Sequence, residues 1–362
     1  MSLPPFTLFG VDIFIFSVDL AILFALYFVV SLSLNLEAGY AGIPNFGKVM
    51  FVAGGAAAAG SLSGRLATLI LGIDTRGNYN GSIARIINQI DASLAGNPLL
   101  SLEILFVGVI IAAAIGAAIG FAASYPAIRL REDYLGMLLL ASAQLFQIFL
   151  GGYEPLIGGT QGLLVPDVFL WASTDFRDIL VLGIVAVFAG IVYVYCESLA
   201  RSPLGRTLRA IRDNEIASRA LGKDDVALRK RVIVIASAIS GVAGALLTFY
   251  VDSIGAGTWT RVTWTFWPWV IVILGGVANN TGVALGAFSF TFILKTVSLV
   301  KVKLPAVLPI DVNWFEYLLF GSLLILVLVV RPGGLLHEKP SLTIPTQEVV
   351  EIIESENEES KC

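Results

Sequence analysis

The sequence predicts an all-α fold, a polytopic bundle of about nine membrane-spanning helices. Mean hydropathy is +0.85, and 57% of the 362 residues are hydrophobic while only 14% are charged. Apolar runs of about twenty residues recur, the length that crosses a hydrocarbon core of about 30 Å at about 1.5 Å per helical residue. The 36 Gly, with abundant Ala, supply the small side chains that let membrane helices approach one another closely.

Spans are expected near residues 12–35, 49–71, 99–123, 133–151, 178–196, 231–251, 264–279, 281–299 and 314–331. The second contains Gly54, Gly55, Gly60 and Gly64 and carries Arg65 near an end. A broken or re-entrant path is therefore an open alternative for residues 36–71. The seventh is short, and the following GGVANNTG, Gly275 to Gly282, has the residues of a tight turn. Met1 to Gly10 hold no basic residue, unlike the start of a secretory signal, so the first span is expected to stay in the mature chain. Cys196 and Cys362 offer no disulfide or metal framework. His337, the single His, follows the last span. It leaves no His-based metal site or Ser-His-Asp triad inside the bundle.

One block breaks the apolar pattern. From Ser202 the chain reads SPLGRTLRAIRDNEIASRALGKDDVALRKR, and counting from Arg201 this stretch holds nine of the 23 Lys and Arg. Ser202-Pro203 is a helix-start signal, because the hydroxyl caps free backbone donors and Pro tolerates the first helical position. Leu204, Leu208, Ile211 and Ile216 recur at helical spacing, while Arg206, Arg209 and Arg212 form a basic face. Glu215 precedes Arg219 by four residues, the favourable order for an ion pair. Gly222 supplies a stop, and Asp224-Asp225 restarts a helix that enters the membrane. Placing the block inside puts the N-terminus outside and the C-terminus inside. Inside segments then hold fifteen Lys and Arg; outside lie the seven Arg65, Arg76, Arg85, Arg177, Arg261, Lys301 and Lys303. Two readings of the block stand. A basic amphipathic segment lies on anionic lipid. A face of mixed charge, with Asp213 and Glu215 among its arginines and with small residues, suits a protein groove.

GRTLRAIRDNEIASRALG closely resembles the coupling segment of ABC-importer permeases, in the family that includes the branched-chain amino-acid importers of the LivH and LivM type, LivM being nearer. LNLEAGYAGIPNFGKVMFVAGGAAAAG resembles that family's first Gly-rich signature, and RLREDYLGMLLLASAQLFQIFL its Arg-Leu-Arg-acid-x-Tyr segment. VILGGVANNTGVALGAF resembles its late Gly-rich turn and VVRPGGLL its C-terminal end. The five pieces occur in the family's order over about residues 32–336. Two places depart from it. Ile43 to Lys48 reads IPNFGK where the family more often has Ser-Leu-Gly followed by His or Gln, and Gly158 to Gly162 reads GGTQG rather than an acidic or Ser-containing version.

The resemblance implies a permease domain over residues 1–338, with a cytoplasmic coupling segment at 201–231, followed by an acidic tail at 339–362 that reads as solvated and disordered. It implies a multi-pass protein of a prokaryotic plasma membrane, moving branched-chain amino acids or a related small polar solute by alternating access. The expected partners are cytoplasmic ABC ATPase subunits, a second homologous permease, an extracytoplasmic solute-binding protein and membrane lipid, with no nucleic acid. The chain itself is expected to hold no cofactor and no metal; ATP and Mg belong to the ATPases. Gly205, Arg209, Arg212, Asp213, Glu215 and Gly222 are the coupling candidates. Gly39, Gly42, Asn45, Lys48, Thr160, Gln161, Gly275 and Gly276 are the substrate-pathway candidates. An ion-gradient-driven transporter and an intramembrane enzyme are the competing classes.

Several residues carry two readings. Lys48 is either a flank placing its ammonium at the cytoplasmic headgroups or a charge in a broken helix along the pathway, with Glu37 as its partner. Gly42 to Lys48 also fits the start of a phosphate-binding loop, but Val49 lacks the hydroxyl that holds Mg²⁺. Asp19, Glu103 and Glu316 lie near span ends, where side chains reach the interface. Trp259, Trp264, Trp267 and Trp269 read as an anchor at the outer membrane face.

Overall fold

The computed structural model describes residues 7–338 except 9–10, 74–78, 128–129, 131 and 304–312. The acidic tail at 339–362, Arg76, and Arg129 and Arg131 of the Arg-Leu-Arg segment lie outside the described residues. A two-residue hairpin, β1 (Thr7–Leu8) with β2 (Val11–Asp12), leads into α1 (Ile13–Leu34), which a π-helical turn at Asn35–Tyr40 prolongs. There follow α2 (Lys48–Leu71), α3 (Ile83–Ala95), α4 (Pro98–Ala127), α5 (Glu132–Gly152) and the single turn α6 (Glu154–Ile157). The strand β3 (Leu163–Leu164) precedes α7 (Thr174–Arg201), and two short helices, α8 (Pro203–Asp213) and α9 (Glu215–Ala220), lead to α10 (Asp225–Val251). The strand β4 (Ser253–Ile254) pairs antiparallel with β3. A π-turn at Val262–Phe266 opens α11 (Trp267–Gly275), and α12 (Asn280–Lys303) and α13 (Asn313–Val330) complete the order.

Among the described residues seven helices are long and apolar enough to cross a membrane, so the chain is a multi-pass membrane protein. Seven of the nine expected spans correspond to these long helices. The segments expected at 264–279 and 314–331 are shorter apolar helices, Val262–Gly275 and Glu316–Val330.

Composition decides which helices are central. The apolar windows of α2 and α10 are 83% and 78% buried, against 28–44% for the other five long helices. These two carry the small residues. A Cβ on Gly241 would come 3.3 Å from Gly116 Cα, and one on Gly244 3.0 Å from Ala56 N, so α2, α4 and α10 pack backbone to backbone. The glycines of α2 therefore do not break it. It is one helix of 24 residues, and the irregular path lies before it, in residues 41–47.

The tryptophans also depart from expectation. Trp259, Trp264 and Trp267 are only 1–8% exposed. Trp264 stacks on Tyr27 at 5.1 Å and Trp267 meets Phe290 at 5.6 Å. The segment is wedged between α1, α12 and α13, so its rings fill the bundle interior rather than the membrane interface. Asp19 likewise does not reach out alone: it accepts from Tyr250 Oη at 2.9 Å and pairs with Lys295, tying α1 to α10 and α12. Glu103 is exposed.

An amphipathic helix that the hydropathy pattern hides, α3, buries Ile86, Ile87, Ile90 and Leu94. It lies at the end of the bundle that holds β3, β4 and the start of α7. The opposite end gathers the C-terminus of α1, the α8–α9 segment, the turn after α11 and residues 331–338.

Candidate functional site

The basic block folds largely as its chemistry dictates. Ser202 Oγ accepts from Gly205 N at 3.3 Å and Pro203 occupies the first turn. Leu208 and Ile211 are buried. Gly205 sits where a Cβ would come 2.7 Å from the Ala200 carbonyl carbon, which lets α8 fold tightly back on α7. An unforeseen break follows. Asn214 is extended, at φ −154°, and its side chain caps α9 by accepting from Ala217 N at 3.0 Å. Glu215 accepts from Arg219 at 2.5 Å and from Arg229 at 3.2 Å. Gly222 ends the segment at φ +73°, a conformation that glycine adopts without a Cβ clash.

The arginines correct the expected docking face. Arg209 and Arg212 turn inward, their side chains only 17% and 23% exposed. Arg212 donates to Gly39 O at 2.6 Å and to Glu338 Oε2 at 3.0 Å, with Asp213 at 2.9 Å. Arg209 pairs with Glu338 Oε1 at 3.1 Å and lies over the Tyr40 ring at 5.0 Å. Of the candidates, Asp213 is the one charged side chain mainly in solvent, at 66%. The outward surface is instead apolar at two points, with Ile216 82% and Leu221 79% exposed.

The two Gly-rich segments meet directly behind this layer. Asn35 Oδ1 accepts from Ala278 N at 2.8 Å, and Asn35 Nδ2 donates to Asn280 Oδ1 at 3.0 Å. Gly39 packs against the same turn, where a Cβ would come 2.7 Å from Ala278 N. Gly42 has φ +69° and faces Arg212. Gly275 packs against α12, 2.9 Å separating a built Cβ from Val283 Cα; Gly276, at φ +117°, lies against the Leu336 carbonyl.

Beneath them is a closed polar knot. Lys48 Nζ donates to Glu37 Oε2 at 2.7 Å, and both side chains are 0% exposed. Asn45 Nδ2 donates to both Glu37 oxygens, at 3.1 and 3.0 Å, while its Oδ1 accepts from Gly47 N at 2.9 Å. Lys48 therefore does not reach the headgroups. In an apolar bundle an ammonium is held only where a carboxylate and further hydrogen bonds replace water, and the turn at 41–47 brings those groups to it.

Thr160 and Gln161 lie elsewhere, at the far end of α10. They are exposed on a loop with Gly158, Gly159 and Gly162 at positive φ, lining an open cavity of about 490 Å³ with Asn80 and Glu154. The pathway candidates thus divide between the two ends of the bundle. Beside this loop is a cluster that the sequence reading missed. Arg177 donates to Asp167 at 3.1 Å and to Asp252 at 2.5 Å, and Asp91 Oδ1 accepts from Asp167 N at 3.0 Å. Burial, then the neighbouring Asp167 charge, pushes the Asp252 carboxyl up to about 7; burial raises Asp91 to about 6. Among the described residues no group of three His, Cys, Asp or Glu is placed to hold a metal ion.

The sequence that builds these Gly-rich turns has counterparts among known proteins. The profile of the family described as branched-chain amino acid transport system, permease component, matches residues 16–328. The chain belongs to that family. It is 39% identical over 329 residues to a probable branched-chain amino acid transport permease protein LivM of Methanocaldococcus jannaschii, covering 90% of this chain and 95% of the relative. It is 28% identical over 250 residues to the high-affinity branched-chain amino acid transport system permease proteins LivM of Salmonella typhimurium and Escherichia coli, covering 62% of this chain and 56% of each relative. No solved structure gives a significant match.

In this permease the residues that sequence reasoning overlooked are Tyr40 and Glu338, which receive the candidate arginines, and Asn35 and Asn280, which join the two Gly-rich segments. Asn35 and Asn280 are 245 positions apart, so no local pattern announces them. Glu338 sits just past VVRPGGLL, and its position beside a resembling motif was the available signal.

Proposed function

We propose that this chain is the permease subunit of an ATP-driven importer in a prokaryotic plasma membrane, moving branched-chain amino acids or a related small polar solute by alternating access. The observation that carries this reading is the outward surface of α8 and α9. Ile216 and Leu221 stand in solvent beside a groove of about 790 Å³ whose rim holds Pro203, Arg206, Asp213 and Lys223 and whose floor includes the half-buried Arg209, Arg212 and Glu338. Large aliphatic side chains held outward beside a groove of mixed charge suit a surface completed by another protein. A water-soluble ATPase, carrying ATP and Mg, is the partner that this family's transport systems call for at a basic, cytoplasm-facing segment.

In this reading the arginines brace the segment from within, and Asp213, Ile216, Leu221 and Gly222 meet the ATPase. A second homologous permease completes the pathway. A solute-binding protein delivers substrate at the end that holds Thr160 and Gln161. The names of the relatives support the solute class. The bundle moves between two packed arrangements, and the ATPases bias it by binding them unequally.

The test is co-purification. Ile216→Asp with Leu221→Asp in the full complex is expected to weaken retention of the ATPase by about tenfold or more, as loss of two buried apolar anchors implies, while the permease still folds in the membrane. Full retention, or uptake driven by an ion gradient without ATP, would defeat the proposal. Unchanged ATPase retention with loss of binding to anionic vesicles would reassign the surface to lipid.

A further inference from the structure

The eight residues after α13, 331–338, do more than follow it. Leu335 N donates to Leu274 O at 2.9 Å and Leu336 N to Gly275 O at 3.0 Å, so the segment pairs with the last turn of α11. Asn279 Nδ2 donates to His337 O at 2.9 Å, fastening it to the start of α12. Glu338 then spans to α8, with Oε1 on Arg209 at 3.1 Å and Oε2 on Arg212 at 3.0 Å. Arg212 closes the circuit on Gly39 O. One carboxylate thus takes both inward arginines of the basic segment, and the strap it terminates holds the turn that carries Gly275 and Gly276.

We infer that Glu338 is a positioning residue that passes movement of α8 to the turn between α11 and α12. The inference rests on the reading that α8 and α9 bind an ATPase. Its physical content is rigidity. Two charged contacts join one carboxylate to successive turns of α8, so the helix cannot shift without carrying residue 338. Residues 335 and 336 are bonded by backbone to 274 and 275, so the strap cannot move without carrying the turn. Arg212 alone reaches Gly39, which packs on Ala278, and this gives a second route to the same place. The Asp213 carboxylate, on the solvent side, provides no such link to α11 or α12 among the hydrogen bonds of the described residues.

The experiment compares Glu338→Gln, Glu338→Asp and the exchange Arg209→Glu with Glu338→Arg in reconstituted complex. Three quantities are read: ATPase retention, solute moved per ATP hydrolysed, and hydrogen exchange at the Leu335 and Leu336 amides of the permease alone. Glu338→Gln changes one charge at the floor of the groove but leaves Ile216 and Leu221 in place, so the ATPase is expected to stay in the complex. The variant should lower solute moved per ATP by about tenfold, as loss of contacts between charged groups implies, and speed exchange at both amides. Glu338→Asp and the exchange variant should each recover part of the coupling. Unchanged amide protection in Glu338→Gln would overturn the claim that this carboxylate holds the strap, whatever the ATPase does. Altered protection with unchanged solute per ATP would overturn the transmission role. If the unaltered chain retains no ATPase, the parent reading fails and this inference falls with it, a result distinguishable from either of the others.

Discussion

The Glu37 carboxylate and the Lys48 ammonium lie 2.7 Å apart, and neither side chain is exposed. They join the turn that ends α1 to the first residue of α2, with Asn45 between them hydrogen-bonded to both carboxylate oxygens. Such a pair is weak evidence of stability, because desolvating two charges offsets much of their attraction. Its consequence is asymmetry: removing one partner strands the other.

Lys48→Met should therefore destabilise the permease by about 3–5 kcal/mol, whereas Glu37→Gln with Lys48→Met should cost much less. Both replacements keep approximate volume. Thermal unfolding of the purified chain in mild detergent distinguishes the cases. Equal losses in the single and double variants would mean that the knot acts through shape rather than through a stranded charge.

The Gly-rich turns give a second contrast. Gly275→Val places side-chain atoms against the α12 backbone at Val283, and α11 and α12 have no room to part without losing their contact. Assembly should fail, read as loss of a monodisperse purified species. Gly42→Val meets the side chain of Arg212, which is flexible, but forces a branched residue to φ +69°. That strain, about 1–3 kcal/mol, should leave the chain assembled and impair uptake. Normal uptake in Gly42→Val would remove the case for this turn in the transport cycle.

How much of this was legible follows from what each signal measures. Hydropathy located the membrane helices, because crossing a bilayer constrains every residue of a window together. Caps and spacing located α8, the Glu215–Arg219 pair and the start of α10, because those signals are local. The direction of Arg209 and Arg212 was not legible. A helical repeat fixes which residues share a face, but here the cover comes from Glu338, 126 positions from Arg212, and from Tyr40. Lys48 kept two readings for a related reason: the sequence names Glu37 as a partner, but an average over a window does not fix the distance at which the chain folds that carboxylate back onto it. The cluster of Asp91, Asp167, Arg177 and Asp252 joins four separate segments, none of which carries a pattern of its own.

That cluster sets a pH dependence. Asp252 is raised to about 7 and Asp91 to about 6, both chiefly by burial, against about 4 in an unfolded chain. The folded end thus holds protons that an opened one releases. Its stabilisation is full below about pH 4 and is lost as pH rises through the two folded values. Asp252 is faced by Asp167, Arg177 and Asp91, Asp91 by Asp167, and Arg177 in turn by Asp178. Protection of the Val165 amide, which donates to Asp252 O, and of the Asp167 amide, which donates to Asp91, should fall between about pH 5 and 8 after correction for intrinsic exchange. Asp252→Asn should flatten the profile. A profile that is already flat in the unaltered permease would contradict the raised values.

The final contrast separates bracing from docking within α8 itself. Both Arg206 and Arg209 line the groove, but Arg209 is largely buried against Glu338 and Tyr40, whereas Arg206, one turn earlier, is exposed. Arg209→Glu would set a carboxylate against Glu338 and remove the cation from the Tyr40 ring. It should lower the melting temperature of the isolated permease, by about 2 kcal/mol or more of stability, with no ATPase present. Arg206→Glu changes a solvated charge, so the isolated permease should melt within about 0.5 kcal/mol of the unaltered chain. Any loss should appear only when the ATPase is added, and should weaken as salt rises. Melting curves of the two variants, with and without the partner, decide the matter. If Arg209→Glu melts normally and fails only with the ATPase, then Arg209 faces the partner and the inward arrangement is wrong.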